Sequence, residues 1–311
     1  MYVLNFVYCF DQNYNYQALT SINSLIQNSS EKIRIYIIHD DVSSINLDLI
    51  TQDNVEIFTY QIKIENMNFP NLKGAHVSIA TYFRLFLSKY LPSDLDYIIY
   101  MDSDIVCIND PTKEINKTIK DLKMNNFHLA ARTETEKNSE NIDRFINLEL
   151  KGKRYFNAGV LVLDYQKWLN DETEKKLLNI LNEYYEKIKF WDQDILNKYF
   201  DDNYLELNFN CNYEFAIFNK EKYDENKIKN EGIFIHFNGK GKPWESHNLI
   251  FDSSNFYQKA FRELNIGHYH ITFNKDTRSI FKYLKILFTL KFLKLENPTS
   301  YLKDSLKALL R

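Results

Sequence analysis

The sequence predicts an α/β fold, a largely parallel sheet flanked by helices. Three observations carry that expectation. Residues 4–10 (LNFVYCF) form an almost unbroken apolar run of strand length. Residues 16–26 place Ala18, Leu19, Ile22, Leu25 and Ile26 on one helical face. Two further strand-length runs, 33–38 and 55–60, follow in alternation. Strand, helix, strand in that order is how a parallel sheet begins.

The pattern continues downstream. Over residues 77–90, Ile79, Tyr82, Phe83, Phe86, Leu87 and Tyr90 follow helical spacing, and Pro92 closes the segment. The apolar run YIIYM (97–101) reads as the next strand, and 127–131 and 160–163 as two more, separated by a charged stretch around 134–147. Leu177, Leu178, Leu181, Tyr184, Tyr185 and Ile188 form an amphipathic helix, and residues 233–237 form a late strand containing His236. No internal repeat and no Gly/Pro-rich linker divides the chain, so one main domain is expected; 311 residues at 44% hydrophobic content suffice for one large core.

Composition narrows the function classes without naming one. The bias toward Asn, Lys, Ile, Tyr and Phe is that of an AT-rich genome and carries no ligand information. Net charge is -3, but from His268 onward nine Lys or Arg face three acids, so the tail carries about +6 and the body about -9. No nucleic-acid partner is expected of an acidic body. Cys9, Cys107 and Cys211 are too scattered for a disulfide framework and form no C-x-x-C pair, which fits a reduced, cytoplasmic protein. The opening MYVLNFVYCF lacks a basic lead and reads as a first strand rather than a signal peptide, and no run of about 18 apolar residues is present to span a bilayer.

The most informative feature is Asp102 and Asp104, flanking Ser103 directly after YIIYM. In an extended segment residues i and i+2 share a side, so both carboxylates can face one ligand. Like charges held that close call for protons or a cation, and a hard divalent metal is the usual solution. Carboxyl ends of strands are also where open α/β sheets bind ligands. A phosphate-bearing substrate sharing that metal makes this a sugar-nucleotide or a phosphoryl-transfer site.

Five segments read together resemble glycosyltransferase family 8, in the order that family uses: VYCFDQNY (7–14), YIIYMDSDI (97–105), YFNAGVLVLD (155–164), WDQDILN (191–197) and HFNGKGKPW (236–244). They span roughly residues 1–265, and the bacterial lipooligosaccharide α-galactosyltransferases and glycogenin are the relatives most resembled. The resemblance implies a GT-A type Rossmann-like mixed sheet flanked by helices over residues 1–265, with residues 266–311 as a basic helical tail.

It also implies roles. Asp102, Asp104 and His236 would bind Mn²⁺, with Mg²⁺ the other candidate; two carboxylates plus an imidazole suit Mn²⁺ better than Mg²⁺. The metal would bridge the two phosphates of a UDP-hexose donor. Cys9, Asp11, Asn13 and Tyr14 would hold the nucleoside, with Ser103, Gly239, Lys242 and Arg84 at the donor phosphates or sugar. Asn157, Ala158, Asp192 and Gln193 would surround the transferred sugar, Gln193 beside the anomeric carbon. An amide is a poor nucleophile, so Gln193 would stabilise an oxocarbenium-like state as the acceptor attacks from the leaving-group face, with retention. Asp194 reads as a helix-start residue.

One departure is visible. Relatives often carry a sugar-binding aspartate after the strand ending at Ala131, where this chain reads ARTETEK; Arg132, Thr133 or Glu134 can substitute, which leaves galactose and glucose both open. Residues 134–153 fit a lid over the donor and equally a mobile surface loop. In the tail, Ile280, Phe281, Leu284, Leu287 and Phe288 share a face opposite Lys282 and Lys285, and Asn297 with Pro298 starts a second helix bearing Leu302, Leu306 and Leu309. That pattern fits an anionic membrane surface, or helices packed on the body or on a second subunit.

The expected function is a Mn²⁺-dependent retaining hexosyltransferase that extends a cell-surface glycan or glycolipid, as in lipopolysaccharide or capsule synthesis, at the inner face of the cytoplasmic membrane. A sugar-nucleotide-binding protein without turnover is the alternative. A phosphohydrolase with Asp102 as nucleophile is a third reading that has no use for HFNGKGKPW.

Overall fold

A computed structural model describes residues 3–50, 54–64, 68–70, 78–214, 224–239, 241–273 and 277–310; Val77 and Lys240 of the segments above lie outside them. A seven-stranded sheet has the order β3-β2-β1-β4-β7-β6-β8, from β1 (Leu4–Phe10), β2 (Ile33–His39), β3 (Val55–Gln61), β4 (Tyr97–Met101), β6 (Leu129–Glu136), β7 (Arg154–Asp164) and β8 (Leu205–Glu206). A smaller sheet, β5-β10-β9, comprises β5 (Ile105–Cys107), β9 (Tyr213–Glu214) and β10 (Phe234–His236). Strands β3, β2, β1 and β4 run parallel, whereas β7 is antiparallel to both β4 and β6.

Helices cover both faces: α1 (Asn15–Asn28), α2 (Leu87–Tyr90), α3 (Thr112–Met124), α4 (Ile142–Asn147), α5 (Tyr165–Asn170), α6 (Thr173–Glu183), α7 (Trp191–Phe200), α8 (Glu225–Glu231), α9 (Asn255–Arg262), α10 (Thr277–Phe288) and α11 (Pro298–Leu309). Strand alternation divides the core. Phe6, Tyr8 and Phe10 of β1 face one cluster with Leu19, Ile22 and Ile119, while Val7 and Cys9 face a second with Phe83, Phe86 and Leu196. Every residue of β1 is buried, which is why it reads as a continuous apolar run.

One predicted helix winds differently. Ile79–Phe86 is a 3₁₀ helix that becomes α-helical only at α2. The tighter winding stacks i and i+3 on one line, which sends Thr81 and Arg84 to the same partner, Asp192.

The charged stretch 134–153 is a packed element. It contains the end of β6 and α4, and Phe145, Leu148 and Leu150 are buried with Tyr155. In the tail, Asn297 caps α11 by accepting from the Ser300 amide at 3.0 Å. Helix α10 turns Tyr283 and Ile286 inward to a cluster with Leu249, Tyr269, Ile271 and Tyr301. Of the stripe singled out from the sequence, Leu287 is half-buried against this cluster, whereas Ile280, Phe281, Leu284 and Phe288 are exposed, Phe281 by 70% and Phe288 by 85%. No helix among the described residues is long and apolar enough to cross a membrane.

Candidate active site

Strand order changes direction at β1: the chain leaves it toward β2 on one side and returns as β4 on the other. A crevice opens at the carboxyl ends of two such strands. Here β1 ends at Phe10, followed by Asp11, and β4 ends at Met101, followed by Asp102. A cavity of about 380 Å³ lies there.

Asp102 and Asp104 share this cavity by a turn rather than by strand alternation. The chain bends at Ser103 and Asp104 before entering β5 in the second sheet. The Asp102 amide donates to Gly159 O at 2.8 Å, and Asp104 O accepts from the Phe237 amide at 3.1 Å, so each aspartate is pinned to a different sheet.

Arg84 is buried between two carboxylates, 2.8 Å from Asp102 Oδ1 and 2.6 Å from Asp192 Oδ2. The second contact is a charge contact without hydrogen-bond alignment. Arg84 also donates to Ala158 O and lies 4.0 Å from the centre of the Tyr100 ring, whose hydroxyl donates to Asp102 at 2.9 Å. Thr81 donates to the other Asp192 oxygen at 2.6 Å. Burial pushes the Asp192 carboxyl up to about 6, against the opposing pull of Arg84.

The backbone of Asn157 to Gly159 serves the site. Pairing of β7 with β6 jumps from Leu161 opposite Ala131 to Asn157 opposite Arg132, which releases the residues between from that ladder. Ala158 N–H donates to Gln193 Oε1 at 2.9 Å and Gly159 N–H to Asn157 Oδ1 at 2.8 Å. Gln193 Nε2 donates to Glu134 at 3.0 Å, so both ends of its amide are engaged.

A relay of side-chain amides sets the tautomer of His236. Asn157 Oδ1 accepts from Asn212 Nδ2 at 3.0 Å, which leaves Asn212 Oδ1 to face His236 Nδ1 at 2.9 Å. An amide oxygen only accepts, so Nδ1 carries a hydrogen and Nε2 is the nitrogen turned to the cavity, 3.3 Å from Asp104 Oδ1. Gly159 makes room for the ring: a Cβ there would lie 2.2 Å from His236 Cε1.

Asp102, Asp104 and His236 offer ligand atoms within 4.8 Å of one another. The buried Asp104 Oδ1 faces His236 Nε2, and the two atoms, with Asp102, make a donor set of the kind that fits a divalent cation. Burial alone would raise the Asp104 carboxyl; Lys242 and His236 reverse this and hold it well below the usual carboxylate range. Lys242 Nζ lies 2.6 Å from Asp104 Oδ2 and donates to Phe237 O at 2.8 Å. Gly239 adopts φ +74° over open space, a left-handed conformation that suits glycine. Trp244 anchors this loop, its ring 4.8 Å from Tyr257, and Pro243 O accepts from Gln258 at 2.9 Å.

The sequence profile of glycosyl transferase family 8 matches residues 5–248. The chain belongs to glycosyl transferase family 8. It is an enzyme, a hexosyltransferase. It is 28% identical to a lipopolysaccharide 1,2-glucosyltransferase of Escherichia coli, over 91% of this chain and 85% of that one. It is 27% identical to a lipopolysaccharide 1,3-galactosyltransferase of Salmonella typhimurium, over 82% and 77%. The crystal structure of the galactosyltransferase LgtC with donor and acceptor sugar analogs superimposes with a TM-score of 0.65 at 18% identity, covering 90% of this chain and all of that one. The fold is GT-A, a mixed sheet that is parallel-rich at its centre.

In this family 8 enzyme the cavity gathers Cys9, Asp11, Tyr14, Arg84, Asp102, Ser103, Asp104, Asn157, Ala158, Asp192, Gln193, His236, Gly239 and Lys242, the residues singled out from the motifs. Asn13 is not among its lining: it is exposed, and its backbone N–H donates to Asp11 Oδ1 at 2.9 Å, capping the first turn. Asp194 is a scaffold residue that accepts from the Lys189 and Phe190 amides at 2.7 and 2.8 Å and from the Tyr155 hydroxyl at 2.6 Å. Of the three residues that could replace the missing aspartate, only Glu134 lines this cavity. Arg132 and Thr133 turn to Glu206 and Tyr204. Sequence reasoning missed Thr81, Tyr100 and Asn212; only Tyr100 left a signal, as the residue two before Asp102 on an alternating strand.

Proposed function

We propose that this enzyme transfers glucose or galactose from a UDP-hexose to a lipopolysaccharide or related glycolipid acceptor, with retention of the α configuration and dependence on Mn²⁺. The observation that carries the reading is the meeting of two clusters in one cavity. Asp102, Asp104 and His236 form a divalent-cation donor set beside the sugar-side pair Asp192 and Gln193. Bound to that donor set, Mn²⁺ would neutralise the UDP diphosphate and make it a better leaving group.

The chain's own residues divide the remaining work. Tyr14 and Asp11, at the end of β1, would receive the uridine, with Tyr14 braced edge-on by Trp244 at 6.2 Å. Lys242 would turn from Asp104 to the diphosphate, adding a cation where negative charge builds up as UDP leaves. Asp192, held by Thr81 and Arg84, would accept hydrogen bonds from sugar hydroxyls. Gln193 would place its carbonyl oxygen against the anomeric carbon as positive charge develops there.

The acceptor class is supported by the lipopolysaccharide glycosyltransferases to which the chain is similar. The tail supports a membrane location: exposed Ile280, Phe281, Leu284 and Phe288 lie on α10 with exposed Lys282 and Lys285, an apolar face bordered by cations. A cytoplasmic enzyme resting on the inner face of the membrane, with residues 1–265 catalytic and 266–311 as the attachment, accounts for both.

The test is UDP release from a panel of UDP-sugars with Mn²⁺, with Mg²⁺ and with chelator. Release from UDP-glucose or UDP-galactose that requires the metal supports the reading and selects the hexose; absence of UDP binding in every condition contradicts it.

A further inference from the structure

We infer that Glu134 is a positioning residue for transfer, acting through Gln193; the inference rests on the transferase reading above. Pairing of β6 with β7 passes from Thr133 opposite Phe156 to Thr135 opposite Tyr155, so Glu134 is the extra residue of a bulge. Bulges beside active sites re-aim side chains. This one sends the carboxylate into the cavity.

The geometry there is specific. Glu134 Oε2 accepts from Gln193 Nε2 at 3.0 Å and, more loosely, from Asn157 Nδ2 at 3.4 Å. Its Oε1 pairs with Arg144 at 3.1 Å, and that guanidinium lies 4.5 Å from the Tyr155 ring centre and 4.2 Å from that of Phe190. Arg144 thus fixes the carboxylate, and the carboxylate fixes the amide.

Chemistry removes the usual ambiguity of an amide flip. A carboxylate only accepts and the Ala158 N–H only donates, so the Gln193 nitrogen must face Glu134 and its oxygen Ala158. With both ends held, the second lone pair of the oxygen keeps one direction in the cavity. Without Glu134 the amide turns about its last torsion, and a misdirected group beside a reacting carbon costs on the order of 100-fold in rate.

The experiment is a double-mutant cycle on the metal-loaded protein, reading UDP release from the donor that the wild type uses. Glu134→Ala is expected to lower kcat about 100-fold while UDP affinity, by calorimetry, changes less than about threefold. Glu134→Gln keeps an acceptor oxygen for Gln193 and is expected to recover about tenfold of that loss. In a Gln193→Ala background, Glu134→Ala is expected to cost nothing further. Full kcat in both Glu134 variants, or losses that multiply in the double variant, would overturn the role of Glu134 while leaving the transferase reading intact. A wild type that binds UDP without turning over any donor overturns that reading instead, and the inference with it.

Discussion

Asn212 Oδ1 accepts the Nδ1 hydrogen of His236 at 2.9 Å, and this contact decides which nitrogen of the imidazole can hold a metal. Asn212 is itself oriented by Asn157, which the Gly159 amide orients in turn. The candidate metal ligand His236 and the backbone of Gly159 are therefore joined by one chain of amides.

Asn212→Ala removes the partner that fixes the ring. Loss of such an outer contact typically costs about 10- to 100-fold in metal affinity. Calorimetric titration of Mn²⁺ in the presence of UDP should show that loss, with the circular dichroism spectrum unchanged.

Gly159→Ala tests the same ring from the other side. The new Cβ would fall 2.2 Å from His236 Cε1 and 2.7 Å from Nδ1, with Asn157 Oδ1 also within 3.0 Å, so the imidazole must move. Overpacking of this kind costs about 1–3 kcal/mol. A lower Tm together with weaker Mn²⁺ binding is expected; a variant that keeps both would show that the ring tolerates displacement.

Asp192 gives a pH prediction with a definite sign. Its folded carboxyl titrates near 6, above the ordinary value of 3.8, so the folded state holds a proton that the unfolded state has released. Its contribution to stability is complete below about pH 4 and is lost as pH rises through 6, a change of about 3 kcal/mol. Urea denaturation from pH 4 to 7 should therefore show Asp192→Asn gaining stability relative to wild type as pH rises. The wild-type pH profile of kcat/KM should carry an acid limb near 6, because the ionised form is the one that pairs with Arg84 and, in the proposed mechanism, would accept from sugar hydroxyls.

The tail prediction concerns location. Phe281→Ser combined with Phe288→Ser removes two exposed rings, each worth about 1.5–3 kcal/mol when buried in an apolar phase. Cosedimentation with phosphatidylglycerol vesicles should fall at least tenfold while UDP affinity stays the same. Undiminished vesicle binding would remove the apolar face of α10 as the attachment.

Much of the fold was legible because β1 and β2 are buried runs whose ends coincide with changes in polarity, and β3, half-buried at the sheet edge, is still apolar at alternate positions. The 3₁₀ helix was not, since over eight residues a period of 3.0 and one of 3.6 bury nearly the same positions. In the tail both faces of α10 carry apolar residues, and amphipathicity alone does not say which meets the body. The charged letters around Glu134 to Lys153 concealed Phe145, Leu148 and Leu150, which form a buried cluster of their own. The Asp102, Asp104 and His236 set was visible through motif resemblance. Asn212 lies 24 residues before His236 in a segment without periodicity, and the bulge that aims Glu134 has no mark in ARTETEK.

In the proposed mechanism Asp102, Asp104 and His236 hold the metal that activates a UDP-hexose. Its most direct test is UDP release by wild type and Asp104→Asn across a Mn²⁺ titration. Metal-dependent release by the wild type and its loss in the variant, with thermal stability largely retained, are expected. Equal release by both proteins would contradict that mechanism.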